Sequence, residues 1–477
     1  MSETDAQTAF IRSEMLAPEL PPVTERGAIK WLRENLFAGW LNTALTLVSA
    51  LVLVMLIAKI LPWWTNGVWN ATSLGECRTI AGPEGGACWA VIKARWHQYI
   101  FGFYPQDAYW RPILAFALMF VALAPVLYYG LRSGAKLIGA VAVLAVISLA
   151  LLDNEFTHVV GIAVLMAALF GLAWTAPKRL VYVTLLYPFI AFWLLWGESV
   201  WKPVATMLGF AVMVLVYRLI QPRLGVIMAT ATGFIAACIY WLFLQGIVTA
   251  ALGVLPPSLP AVNSDQFGGF LLAFVIGVTA ITCSLPIGIL LALGRRSDMV
   301  LIKTLSVGFI EFIRGVPLIT MLFTASLLLQ YFLPPRTNFD LILRVVILVT
   351  LFAAAYIAEV IRGGLAALPR GQYEAADALG LDYWQAQRLI IMPQALKISI
   401  PGIVSTFIGL FKDTTLVSFV GLLDPLRGVT QIVRADINWK GIYWEPYIFV
   451  GFIFFLICFG MSRYSMYLER KLKTDHR

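Results

Sequence analysis

The chain has 477 residues, of which 60% are hydrophobic and 13% charged, with a formal net charge of +9. Soluble domains carry about 25% charged residues, so this chain has too little polar surface to be wetted at its size. Lipid must be the solvent for most of it, which excludes a cytosolic enzyme, a secreted disulfide scaffold and a nucleic-acid binder; the mean hydropathy of +0.83 agrees.

In chain order, residues 1–39 form a polar, charged, cytoplasmic N-terminal tail, and 1–25, rich in Pro, Glu and Thr, reads as disordered. The first apolar run is already a full span, so no cleavable signal peptide is predicted. A bilayer-crossing helix needs about 20 apolar residues. That rule predicts twelve spans, at 40–61, 113–131, 137–152, 158–174, 180–198, 204–220, 227–252, 267–293, 302–333, 344–364, 396–420 and 446–465. The runs are continuously apolar, whereas barrel strands would alternate, so the fold class is an all-α polytopic membrane protein. With the N-terminus inside, the inner segments hold 22 of the 35 Lys and Arg residues, including Arg12, Arg26, Arg132, Arg295, Arg296, Lys473 and Arg477. The short outer turn 153–157 carries only the acids Asp153 and Glu155. Both termini are therefore expected in the cytoplasm.

The stretch 40–252 is read as an accessory transmembrane region for assembly or lipid contact, with Trp174, Trp193, Trp196, Trp201 and Trp241 as interfacial anchors. Its outer loop 62–112 contains Trp63, Trp64, Trp69, Trp89, Trp96 and Trp110, together with Cys77 and Cys88. Two readings stay open for these cysteines: a small cap closed by one disulfide in an oxidising compartment, or two free thiols. Five Cys in all are too few for a disulfide framework, and Cys238, Cys283 and Cys458 read as packing residues within spans.

No G-x-x-x-x-G-K-[ST] phosphate loop occurs, so nucleotide binding of that type is not expected of this chain. His97, His158 and His476 are scattered over a loop, a helix end and the terminus, so no metal site is expected. No G-x-S-x-G elbow is present, and no catalytic residue is assigned.

The inner loop 365–395 is the largest polar segment between two spans in the C-terminal half, and its grammar is two short helices meeting at a corner. Pro369 ends the preceding helix, and 372–379 are good helix formers. Gly380 supplies a left-handed C-terminal position. Asp382 and Gln385 read as a capping-box-like start for a helix expected to stop at Met392-Pro393. Ala375, Ala376 and Ala378 leave room for a partner to pack closely, so the loop reads as a docking knob.

Glu374-Ala375-Ala376, with Gly380 four residues after Ala376 and an apolar run ending in Pro393, is similar to the EAA loop of permease subunits in binding-protein-dependent ABC importers. FIEFIRGVPLITMLF at 309–323 is similar to the FxRGTPLL stretch of the polar amino-acid uptake group, with Val316 for Thr. FKDTTLVSFVG at 411–421 is similar to that group's KDTSL stretch, with Thr415 for Ser. The motifs fall in order over 265–470, less than half the chain. The extra spans and the Trp-rich loop resemble the large permease of general L-amino-acid importers, the AapM and BztC type. The resemblance implies a five-helix permease core at 265–470, in a bacterial inner membrane, with 365–395 as its cytoplasmic coupling loop. It implies pairing with a second, non-identical permease, beneath a periplasmic amino-acid-binding protein and above two ATPase subunits. ATP and Mg would sit on those subunits, and this chain would bind no cofactor and be no enzyme. The implied ATPase-coupling residues are Glu374, Ala375, Ala376, Gly380 and Pro393.

Ionisable residues at bilayer depth cost roughly 2.5–3.5 kcal/mol each on insertion scales and are rarely idle, so those in the core spans are expected to mark the substrate route. Glu311 and Arg314 share a helix face, as do Glu359 and Arg362, and Lys412 and Asp413 lie within 396–420. An amino-acid zwitterion needs an acceptor for its ammonium and a donor for its carboxylate. Asp413 is assigned to the ammonium, with Thr414 and Thr415 as hydroxyl partners. Each charged pair can also be read as an internal salt bridge, the preferred reading for Glu359 and Arg362. Arg314-Gly315-Val316-Pro317 is expected to break its helix beside the substrate route. The alternative function, an ion-coupled secondary transporter of small polar solutes, calls for two similar halves, and no such symmetry is visible.

Overall fold

The computed structural model describes residues 27–83, 85–128, 133–152, 154–253, 255–328, 331 and 340–472. The expected tail 1–25, the residues Arg26, Arg132, Asp153, Lys473, His476 and Arg477, and the end of the 302–333 span lie outside them. Among the described residues, eleven helices are long and apolar enough to cross a membrane, and a bent pair makes up to twelve. In lipid the backbone must satisfy its own hydrogen bonds, and a continuous apolar run does so only as a helix. The chain divides into two compact units, Met1–Ala90 and Val91–Arg477.

The first unit holds α1 (Gly27–Asn35), α2 (Trp40–Thr65) and α3 (Leu74–Ala81). After α2 the chain folds into an ordered cap around Trp89, which is 5% exposed. Rings of Trp64, Trp69 and Trp63 lie 4.6, 5.8 and 6.0 Å from it. The cap is laced by Val68 N–H to Ala87 O at 2.7 Å and Ala87 N–H to Trp63 O at 2.8 Å. Cys77 and Cys88 are joined as a disulfide with Cα atoms 5.8 Å apart. Ser73 caps α3 by accepting from Glu76 N–H at 3.2 Å.

The second unit takes in α4 (Ala90–Phe101) from its second residue, then α5 (Trp110–Leu127), α6 (Ser133–Leu151), α7 (Phe156–Thr175) and α8 (Val181–Trp196). Next come α9 (Trp201–Ile239), which is kinked at Gly225, and α10 (Gln245–Leu252). It continues with α11 (Gly269–Arg295), α12 (Val300–Gly315), α13 (Leu318–Phe323) and α14 (Leu341–Ala366). Two short helices, α15 (Gly371–Ala378) and α16 (Tyr383–Ala386), precede α17 (Met392–Asp413), α18 (Pro425–Ala435) and α19 (Trp444–Leu472).

The helix break expected at Arg314-Gly315-Val316-Pro317 is present: the two halves of the 302–333 run, Val300–Gly315 and Leu318–Leu328, meet at 101°. Pro317 has no N–H to continue the helix and disfavours helical backbone at the residue before it. Trp196 and Trp241 are half-buried. The Trp196 indole donates to Ser264 Oγ at 2.9 Å, and that of Trp241 to Thr206 O at 3.1 Å, so each N–H is satisfied within the fold.

Small residues let the central helices approach, as in other membrane bundles. A Cβ on Gly288 of α11 would stand 2.7 Å from Ile357 Cγ2 and 3.1 Å from Ala354 O of α14. At the end toward residue 269, a strap ties α8 to the start of α11. The two-residue strands β1 (Glu198–Ser199) and β2 (Ser258–Leu259) pair antiparallel. Val262 N–H donates to Trp196 O at 2.9 Å. Trp196 stacks on Phe267 at 4.6 Å, and Tyr104 meets the same ring edge-on at 5.5 Å. Buried Arg111 donates to Pro260 O at 2.7 Å.

Candidate functional site

The 365–395 segment forms the corner its sequence describes. At the end of α15, Gly380 N–H donates to Asp377 O at 2.9 Å and Leu381 N–H to Ala376 O at 3.3 Å, the paired bonds of a Schellman turn. Gly380 has φ +67°, and a Cβ there would meet nothing within 4 Å. The backbone conformation, not crowding, is therefore what demands glycine. The capping box closes α16: Gln385 N–H donates to Asp382 Oδ1 at 2.8 Å, and Asp382 N–H to Gln385 Oε1 at 3.1 Å.

Two expected coupling residues differ from their sequence reading. Ala376 is 1% exposed and packs inward, because it shares a helix face with Tyr373, three residues earlier. Pro393 does not stop a helix. It sits at the head of α17, directly after the π-helical turn Gln387–Ile391, in a run that stays helical from Tyr383 onward, so the proline is accommodated at a π bulge inside a helix. Glu374, Ala375, Ala378 and Gly380 are exposed. Around them Leu379, Trp384, Leu389 and Tyr383 are 71, 65, 64 and 53% exposed, so the knob presents apolar side chains outside the bundle.

The inward face of the knob is tied to the helices above it. Arg296 Nη1 donates to Tyr373 Oη at 2.9 Å and to Leu365 O at 3.3 Å, with the guanidinium 5.5 Å from the Tyr373 ring centre. Gln394 Nε2 of α17 donates to Gln372 Oε1 at 2.8 Å.

Glu311 and Arg314 make no ion pair with each other among the described residues; both join a larger cluster. Arg295 bridges Glu311 at 2.8 Å and Glu359 at 2.9 Å. Glu359 also receives Arg362 at 3.0 Å and Arg314 at 3.6 Å, and Arg314 lies over the Tyr356 ring at 5.5 Å. Three guanidiniums thus meet two carboxylates at the feet of α11, α12 and α14, leaving a net positive charge. The side chains are partly exposed, so each pair contributes at most about 1 kcal/mol; the arrangement matters more than the energy.

Lys412, Asp413, Thr414 and Thr415 lie elsewhere. Ser399 of α17 donates to Val360 O, next to Glu359, at 3.3 Å. Asp413 is fourteen residues further along α17, about 20 Å at helical rise, so the two charge groups cannot clasp one amino acid together. Lys412 and Asp413 form no ion pair with each other among the described residues. Thr414 is fully buried. Its hydroxyl donates to Phe411 O at 2.7 Å, and that of Thr415 to Lys412 O at 2.9 Å, so both hydroxyls are left only as acceptors.

Sequence reasoning missed three groups. Arg295 and Arg296 were counted only as topological charge, although two adjacent arginines ending a span have two directions in which to reach. Asp424, just beyond the 411–421 stretch, carries no motif that singles it out. It is fully buried and caps α18 by accepting from Leu426 and Arg427 N–H, each at 3.0 Å. Burial pushes its carboxyl up to about 6, against those N–H bonds, which favour the charged form.

Known proteins place this architecture. The profile of the family described as binding-protein-dependent transport system inner membrane component matches residues 284–474. The glutamate/glutamine/aspartate/asparagine transport system permease protein BztC of Rhodobacter capsulatus is 62% identical over 99% of this chain and 100% of its own length. The inner membrane amino-acid ABC transporter permease protein YhdY of Escherichia coli K12 is 36% identical over 94% of each chain. The glutamate/aspartate import permease protein GltK of Escherichia coli is 33% identical over 45% of this chain and 95% of its own. The chain belongs to the ABC transporter permeases, the multi-pass inner membrane components of binding-protein-dependent transport systems.

Proposed function

We propose that the chain is the permease subunit through which an ATP-driven importer moves L-amino acids from a periplasmic binding protein to the cytoplasm. The observation that carries this reading is the 371–391 knob: a capped helical corner with exposed apolar side chains, on the face that the charge asymmetry assigns to the cytoplasm. A polar loop has no reason to expose Leu379 and Trp384 unless a partner covers them. That partner is an ATPase subunit, one on each of two permeases, and ATP and Mg are bound there rather than by this chain. The second permease is non-identical, making a heterodimer.

The substrate class follows from the full-length similarity to BztC, so glutamate, glutamine, aspartate and asparagine are the first solutes to test. Asp413, with Thr414 and Thr415 as acceptors, is assigned to the ammonium group, and Lys412 to a carboxylate. Residues 265–470 are the translocating core, and 40–252 serve assembly.

The test is co-purification of the tagged full chain from its native membrane, followed by uptake in proteoliposomes with the binding protein. An ATPase should accompany the wild-type chain and be lost on Glu374→Lys or Gly380→Val. Uptake driven by an ion gradient, with no ATPase bound, would replace this reading with a secondary transporter.

A further inference from the structure

Arg295 and Arg296 are consecutive at the foot of α11, yet they reach opposite ways. Arg296 is fixed to Tyr373 of α15 through the phenol and to Leu365 O at the end of α14. Arg295 is fixed to Glu311 of α12 and to Glu359 of α14. Glu311 stands four residues before Gly315, where the span turns through 101°. One peptide unit therefore joins the inward face of the knob to the helix that breaks. The side chains at both ends are held by planar guanidiniums, whose fork geometry resists rotation more than a lysine would.

We propose that the Arg295–Arg296 pair is a mechanical relay. It passes displacement of α15 into the broken span, with Arg296 and Tyr373 as its lower arm and Arg295 and Glu311 as its upper arm. In this role all four are positioning residues, acting through one another rather than on substrate or nucleotide. The inference rests on the importer reading above and adds to it a route through the first core helix. Spatial succession alone does not establish coupling, so the two arms must be shown to act on one equilibrium.

The experiment uses the whole importer in proteoliposomes with its loaded binding protein, measuring amino-acid uptake and ATP hydrolysis in the same vesicles. Arg296→Gln should lower uptake per ATP at least fivefold, and Tyr373→Phe about twofold, with the ATPase still bound and thermal stability within a few degrees of wild type. Arg296→Lys should recover only part of the loss. Tyr373→Phe combined with Glu311→Gln should be no worse than the more severe single change, because a relay cut once gains nothing from a second cut. A purely structural contact would lower stability and ATPase binding together and leave uptake per ATP unchanged. The relay is overturned if both single variants keep uptake per ATP within experimental error of wild type, or if the cross-arm effects simply multiply. Should Arg296→Gln fail to assemble, Tyr373→Phe, which removes one oxygen, decides the matter alone. Absence of any ATPase from the wild-type preparation would instead sink the importer reading, and the relay with it.

Discussion

Asp424 shows how much one side chain can hold in tension. Its carboxylate caps α18, which favours charge, yet it is buried, which opposes charge, and burial prevails with a value of about 6 against the ordinary 3.8. The folded state then keeps a proton that the unfolded chain releases between about pH 4 and pH 6. Stability contributed by this group is therefore present at low pH and lost as pH rises through that window. A shift of about two units corresponds to roughly 3 kcal/mol at most. Asp424→Asn keeps an acceptor for the cap and removes the titration. The melting-temperature gap between variant and wild type should move in the variant's favour from pH 4 to pH 8, and a gap that stays constant would refute the assignment. Gly380 acts by backbone alone. A residue with a Cβ at φ +67° is strained by about 1–2 kcal/mol, more when β-branched, so Gly380→Ala should weaken ATPase co-purification less than Gly380→Val. Equal retention of the ATPase by both variants would argue that the corner angle is irrelevant.

Elements were legible in the sequence wherever a local rule decided them. Lipid enforces helices on apolar runs, Arg314-Gly315-Val316-Pro317 announces the bend, and Gly380 with Asp382 and Gln385 spells the corner. Pro393 misled because proline reads as a stop, although after the π-helical turn Gln387–Ile391 the helix carries on through it. Side-chain partners were the illegible part. The i,i+3 rule correctly joined Glu359 to Arg362, but for Glu311 it suggested Arg314, when the partner is Arg295, sixteen residues away. That pairing depends on how α12 lies across α11, which periodicity does not encode. Nor does the pattern reveal which face of α15 turns inward, so the burial of Ala376 is visible only in the structure. Packing between α11 and α14 offers a test at this scale. Gly288→Leu would drive a side chain into Ile357 and the Ala354 carbonyl, and overpacking costs about 1–3 kcal/mol. The variant should melt several degrees lower with the ATPase still bound while folded, whereas wild-type stability would mean the helices are not so close.

For the molecule as a whole, the open issue is what the helices before the core contribute. GltK matches only 45% of this chain while covering 95% of itself, so a permease can be built without an accessory region of this size. In this chain, however, the approach to α11 is not self-sufficient. Phe267 is 1% exposed because Trp196 and Tyr104 cover it, and the strap is held by Arg111 on Pro260 and by Val262 on Trp196. The Tyr104 hydroxyl donates to Leu195 O at 2.8 Å, so the aromatic cluster is also a hydrogen-bonded one and does not slide. Residues 253–477 expressed alone would bare Phe267 and leave the 258–264 strap without its acceptors and donors. That fragment should melt well below the full chain or fail to stay monodisperse. Because a truncated membrane protein can fail for many reasons, the sharper version keeps the chain whole. Trp196→Ala removes the stacked ring and its bond to Ser264 and should cost about 2–4 kcal/mol. Trp174→Ala, an exposed indole in the same region, should cost far less. If the two variants melt alike, the accessory helices are lipid-facing ballast and the strap bears no part of the core's stability.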